Sequence, residues 1–191
     1  IDKVEAYADD NSNTVPELAD YSTAGVTGVT AANLADVNVA IDAAAATGAD
    51  TASEIQAIVD QVVAEHLALN ELVEDLNGNA NGTSITADQL NDIHDVTGVA
   101  PENIAEYIAA LTATPSPFAD INNPTVAEIN AVITSVNAIV VAENAATSEL
   151  VEDLSGNANG ILITAAQLDD IRGVNNVTPA NIAEYNAAFA A

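Results

Sequence analysis

The sequence predicts an all-α protein: tandem three-helix bundle repeats, elongated, with long helices linking neighbouring modules. Three observations carry this expectation. Helix-start signatures of the form Thr-x-x-Glu or Thr-x-x-Gln recur at Thr14, Thr51, Thr86, Thr125 and Thr164. Residues 71–113 return at 149–191 with 29 of 43 positions identical and no gap. Apolar residues make up 49% of the chain but aromatics only 3%. Small aliphatic side chains each remove little area from water, which suits several small helical cores better than one deep core.

Residues 1–13 read as the end of a preceding repeat. With Ile1 in first place and no Met anywhere, the chain is expected to be a piece of a longer array. Module 1 spans 14–76. Its first helix opens at Thr14/Glu17, where the Thr hydroxyl accepts from the third helical N–H and the Glu reaches back to the cap. The second opens at Thr30 with Asn33 in the third position, a weaker box stapled by Val29 and Leu34. The third, 52–76, starts at Thr51/Glu54. Its apolar stripe is Ile55, Val59, Val62, His66, Leu69, Val73 and Leu76, alternating steps of four and three.

An Asn/Gly loop follows at 77–85, and module 2 occupies 86–154. Thr86/Gln89 opens a short helix, 87–94, stapled by Ile85 and Leu90. Pro101 takes the first position of a helix at 101–111, where a missing N–H costs nothing. The Pro-rich connection 112–124 is pinned by Phe118 and Ile121. Thr125/Glu128 opens a long helix, 126–154, with a weak middle at 143–148 where a kink or break is expected. "TASEIQAIVDQV" (51–62) matches "TVAEINAVITSV" (125–136) at an offset of 74 rather than 78. Four residues therefore entered within 138–149, close to one helical turn, which a continuous helix tolerates. The second loop is 155–163. A truncated module 3 covers 164–191, with Thr164/Gln167, the staple Ile163–Leu168, Pro179 after Thr178, and the staple Val177–Ile182.

Charge excludes whole classes of partner. Twenty-nine Asp and Glu face only Lys3 and Arg172, a net −27. Such a surface repels phosphate backbones and anionic membranes, so nucleic acid is not an expected partner. Self-repulsion also opposes compaction. Salt relieves it, the Debye length falling from about 10 Å at 0.1 M to about 3 Å at 1 M. A saline or calcium-rich exterior suits such a charge, and a merely soluble acidic protein is the alternative expectation. The absence of Cys removes disulfides and thiolate metal sites. The least polar stretch, 129–142, is short for a membrane span and carries Asn130, Ser135 and Asn137, so no membrane insertion is expected.

Catalytic parts are lacking. His66 and His94 fall on different helices. His66 lies in an apolar stripe, as a partly buried structural imidazole, and His94 aligns with Arg172 at a solvated position. Tyr107 and Tyr185 occupy equivalent positions and are expected to pack against a neighbouring helix. One stretch has the look of a metal loop: "ELVEDLNGNANG" (71–82), repeated as "ELVEDLSGNANG" (149–160). Asp75, Asn77, Asn79 and Asn81 alternate oxygen ligands as an EF-hand loop does. The second copy offers Asp153, Asn157 and Asn159. Ala80 stands where that loop wants Gly, however, and Thr86 where it wants a bidentate Glu. The expectation is therefore a helix end and turn, with at most weak Ca²⁺ binding, and neither catalytic nor cofactor-binding residues.

The stretch "YSTAGVTGVTAANLADVNVAIDAAAATGADTASEIQAIVDQV" (21–62) resembles the GA-like modules of giant bacterial surface proteins, the repeat-rich adhesins exported by type I secretion. The pattern is a short helix, Gly-Val, a helix with Asn-Leu-Ala spacing, and a helix opening Thr-x-x-Glu-Ile. It covers 14–63 and 86–137, and 164–191 as a module without its third helix. The resemblance implies an extracellular, cell-surface spacer whose partners are neighbouring repeats and a host or cell-surface protein. Those modules are in turn similar to albumin-binding GA modules of Gram-positive bacteria. No contact motif matches residue by residue, so that activity is not carried over.

Overall fold

The computed structural model describes residues 2–44 and 48–189, and among them there is helix and turn but no strand. In chain order the helices are α1 (Asp2–Asp9), α2 (Leu18–Thr23), α3 (Leu34–Ala43), α4 (Ala52–Leu76), α5 (Ala87–Asp92), α6 (Ile104–Leu111), α7 (Val126–Leu154), α8 (Ala165–Asp170) and α9 (Ile182–Phe189). The all-α expectation is met.

The start signals act as their chemistry requires at α4, α5 and α8. The Thr51, Thr86 and Thr164 hydroxyls each accept from the N–H three residues on, at 3.2 Å. The Glu54, Gln89 and Gln167 side chains accept in return from the cap N–H at 2.9 Å. The first signature is displaced. Glu17, not Thr14, caps α2, and its N–H donates to Asp20 Oδ2 at 2.7 Å. Pro16 is the reason, because the residue before a proline is kept out of helical backbone and Val15 cannot open the helix. At Thr30 only the return half of the box forms: Asn33 Oδ1 accepts from the Thr30 N–H at 2.7 Å, and α3 begins at Leu34. Pro101 and Pro179 each open a single 3₁₀ turn that leads into α6 and α9. The predicted helix 87–94 stops at Asp92, since Ile93 turns to extended backbone.

The long helix of the second copy is unbroken. α7 runs 29 residues against 25 for α4, so the inserted turn lengthens the helix without interrupting it at 143–148. α7 also corrects the reading of residues 129–142. By length and composition it is long and apolar enough to cross a membrane, with mean hydropathy 1.5 over its best 18-residue window, 22% of which is buried. The apolar run is short, but the helix continues past both of its ends.

Contacts divide the chain into two compact units. The first comprises Ile1–Val99 and Phe118–Val126. Val4 and Ala8 of α1, Tyr21 of α2, Val37 and Ile41 of α3, and Ile55, Val59 and Val62 of α4 form its main core. The predicted α4 stripe holds as far as Val62 and then changes face, with Ala68, Leu72 and Asp75 buried in place of His66, Leu69, Val73 and Leu76. The helix packs chiefly against α3 and α5. One stripe cannot face both. Phe118 is buried and Ile121 half-buried.

The second unit comprises Ala100–Pro117 and Ala127–Ala191. Tyr107 and Leu111 of α6, Ile129, Val132, Ile133, Val136 and Ala146 of α7, and Ile163 and Leu168 around α8 are its buried apolar residues among those described. The repeat and the packing divide the chain differently. Sequence similarity places a module boundary between α4 and α5, whereas packing joins them.

Candidate metal centre

α4 and α7 end in the same way. After Leu76 the Asn77 N–H still donates to Val73 O at 3.1 Å, and after Leu154 the Ser155 N–H donates to Val151 O at 3.1 Å. The chain then reverses through two residues with positive φ, Gly78 (112°) and Asn79 (51°), repeated as Gly156 (115°) and Asn157 (49°). Glycine adopts this backbone freely and Asn tolerates it better than most residues.

The reversal brings the loop back onto the last helical turn. The Asn81 N–H donates to Glu74 Oε1 at 2.8 Å and the Ile85 N–H to Asp75 Oδ2 at 2.8 Å. In the second copy the Asn159 N–H donates to Glu152 Oε1 and the Ile163 N–H to Asp153 Oδ2, both at 2.7 Å. Each carboxylate thus spends one oxygen on the returning backbone.

The carboxylates themselves gather. One carboxylate oxygen from each of Glu71, Glu74 and Asp75 lies within 4.8 Å of one from each of the others, and so do those of Glu149, Glu152 and Asp153. Asp75 is only 5% exposed and Asp153 only 6%. Three buried oxygens at each junction have no hydrogen-bond partner in the protein: Glu74 Oε2, Asp75 Oδ1 and Asn79 Oδ1, then Glu152 Oε2, Asp153 Oδ1 and Asn157 Oδ1; the second copy adds Asn186 Oδ1 from α9. Burial pushes the Asp75 carboxyl above the usual carboxylate range. The Ile85 N–H opposes this shift and the charges of Glu71 and Glu74 add to it.

For an isolated helix this is a poor arrangement. Carboxylates in the last turn oppose the macrodipole by about 0.3–1 kcal/mol each. Like charges three and four residues apart add about 0.2–0.5 kcal/mol of repulsion per pair. No basic residue occupies the last turn of either helix. An all-oxygen donor set of this charge suits a hard divalent cation and offers nothing to a soft one.

The structure sorts the loop residues read from sequence. Asp75 belongs to the carboxylate cluster, as does Asp153, while Asn79 and Asn157 each contribute a buried amide oxygen without a protein partner from the adjoining turn. Asn77 does not: its amide donates to Val73 O at 2.8 Å and to Asn122 Oδ1 at 3.3 Å. Asn81 supports from outside. Its Oδ1 accepts from the Thr83 N–H at 2.6 Å, and its amide reaches the Glu71 carboxylate at 3.3 Å. Asn159 does likewise with the Ile161 N–H at 2.6 Å and Glu149 at 3.4 Å. Sequence reasoning missed Glu71, Glu74, Glu149 and Glu152, because an EF-hand template looks forward from the aspartate. The signal was present behind it, in three carboxylates at i, i+3 and i+4 at a helix C-terminus.

The other singled-out residues lie elsewhere. His66 Nε2 stands 2.8 Å from Asp36 Oδ2, with its side chain 34% exposed. His94 is exposed, as is Arg172, which pairs with Glu106 at 2.8 Å and Glu143 at 3.2 Å. Tyr107 is fully buried, its hydroxyl donating to Asn137 Oδ1 and accepting from the Ala100 N–H at 3.0 Å. Tyr185 is half-buried. Comparisons with protein-family models, with curated proteins and with solved structures find no match to this chain, so its function is read from the geometry above.

Proposed function

We propose that the chain is a non-catalytic run of tandem three-helix modules serving as a spacer in a large secreted bacterial surface adhesin. The observation that carries this reading is repetition in three dimensions. At an offset of 78 residues the same turn, the same backbone-to-carboxylate bonds and the same capping box recur with distances agreeing to 0.1 Å. A junction reproduced so closely fits a chain that extends by adding units. The acidity fits a saline exterior, where the charges are screened. Small-angle scattering of the chain in about 0.5 M salt tests the proposal: a rod-like profile is expected, and a compact globule overturns it.

A second reading, recognition of a host or self protein, has its own observation. α7 leaves Ile139 and Val141 58% and 67% exposed. Ile139 also lines a groove with Ala105, Ala109, Val136 and Val140, edged by Glu106 and Arg172. Under this reading, Ile139→Ser weakens capture of the partner without changing the helical circular-dichroism signal.

A further inference from the structure

We infer that each helix-to-loop junction is a Ca²⁺ site: Glu71, Glu74, Asp75 and Asn79 hold one ion, and Glu149, Glu152, Asp153 and Asn157 a second. This assignment does not depend on the spacer reading.

Five observations converge on it. The carboxylate oxygens lie within 4.8 Å of one another, about the separation of two ligands on opposite sides of a Ca²⁺ with bonds of 2.3–2.6 Å. The most buried member of each set, Asp75 or Asp153, keeps one oxygen without a protein partner. A glutamate oxygen and an amide oxygen of the same junction are likewise buried without protein partners. The whole constellation appears twice, down to the same atoms. Finally, a triple negative charge at a helix C-terminus is destabilising unless something positive sits there, and the chain has only Lys3 and Arg172 to offer. Both are engaged elsewhere, Lys3 with Asp20 at 2.6 Å and Arg172 with Glu106 and Glu143.

The ligand chemistry selects the ion. Only oxygens are offered, and they come from an irregular loop and a helix end. Ca²⁺ accepts six to eight oxygens in flexible geometry, whereas Mg²⁺ demands a near-ideal octahedron and sheds its water reluctantly. Four side-chain oxygens leave room for water or carbonyl oxygens to complete the Ca²⁺ shell. The partial exposure of Glu71 and Glu74 places the affinity with extracellular modules, at about 0.1–1 mM. An ion there ties the last turn of the helix to the loop and stiffens the junction.

The test is calorimetric titration of the full chain with CaCl₂ after chelator treatment, paired with thermal unfolding. Two equivalents are expected to bind. At 10 mM Ca²⁺ the melting temperature is expected to rise by about 5 °C or more. Matched ionic strength as NaCl, or the same concentration of MgCl₂, is expected to give a clearly smaller rise. Glu74→Gln keeps the acceptor for the Asn81 N–H, so the junction still folds, and one equivalent is expected to remain. Glu74→Gln with Glu152→Gln is expected to abolish both or weaken them about tenfold or more. A Ca²⁺ effect no larger than that of NaCl overturns the inference, as does unchanged binding in the double variant. Scattering reports on the spacer reading separately, so either idea can fail alone.

Discussion

In the first junction Thr83 Oγ1 donates to Glu71 Oε1 at 2.9 Å, and the Asn79 amide donates to Ser84 Oγ at 2.8 Å. In the second junction the corresponding positions hold Ile161 and Leu162, 61% and 48% exposed. The two junctions nevertheless share the left-handed Asn, both backbone-to-carboxylate bonds and the three buried oxygens without protein partners. The rim is therefore dispensable to the shape. What builds the turn is the helix-end carboxylates and the Gly-Asn pair; Thr83 and Ser84 only restrain side chains already in place.

The strongest challenge to this equivalence is a cavity beneath each loop. Ile85 and Ile163 are each 1% exposed, so Ile85→Ala and Ile163→Ala should each cost about 2–5 kcal/mol. Urea denaturation monitored by circular dichroism should return similar losses for both. A loss at one site and none at the other would break the comparison.

Next in size are the tyrosines of the two copies. Tyr107→Phe removes a buried hydroxyl bonded to Asn137 and to the Ala100 N–H, and should cost about 1–3 kcal/mol because those groups lose a partner. Tyr185→Phe, in a half-buried ring, should cost clearly less by the same measurement. The rim itself can be exchanged. Thr83→Ile should cost about 0.5 kcal/mol and lower Ca²⁺ affinity a few-fold at the first site alone, read by calorimetry. Ile161→Thr should raise affinity at the second.

The smallest effect concerns Arg172, which stands where the first copy has His94. Its hydrogen bond holds the Glu106 carboxyl below the ordinary glutamate pKa of 4.5. A lowered folded-state pKa stabilises the protein above the ordinary value, and that stability is lost as pH falls through the lowered one. Arg172→Gln should therefore flatten the acid limb of the stability–pH curve slightly. The difference should shrink in high salt, because the pair is exposed.

The sequence alone determined the helical class and the starts of α4, α5 and α8. Thr51, Thr86 and Thr164 with their Glu or Gln partners are local devices, complete within four residues, so their outcome was legible without a fold. The Asn-Gly turns were legible for the same reason, and the four-residue insertion was legible as one added turn, whereas the kink or break expected at 143–148 does not occur. Pro16 displaced the Thr14 cap by an equally local effect that was overlooked. Only the tertiary structure decided which faces are buried. The α4 stripe changes at Ala68 because α3 and α5 meet different sides of one helix. The same holds for the junction. The spacing of residues 71, 74 and 75 already puts their carboxylates on one helix face, but only the folded-back loop spends one oxygen of each of Glu74 and Asp75 on backbone N–H groups and leaves the other buried. A linear template cannot anticipate that, because the distance between two side chains across a reversed turn is set by the turn's dihedral angles rather than by their spacing in the chain.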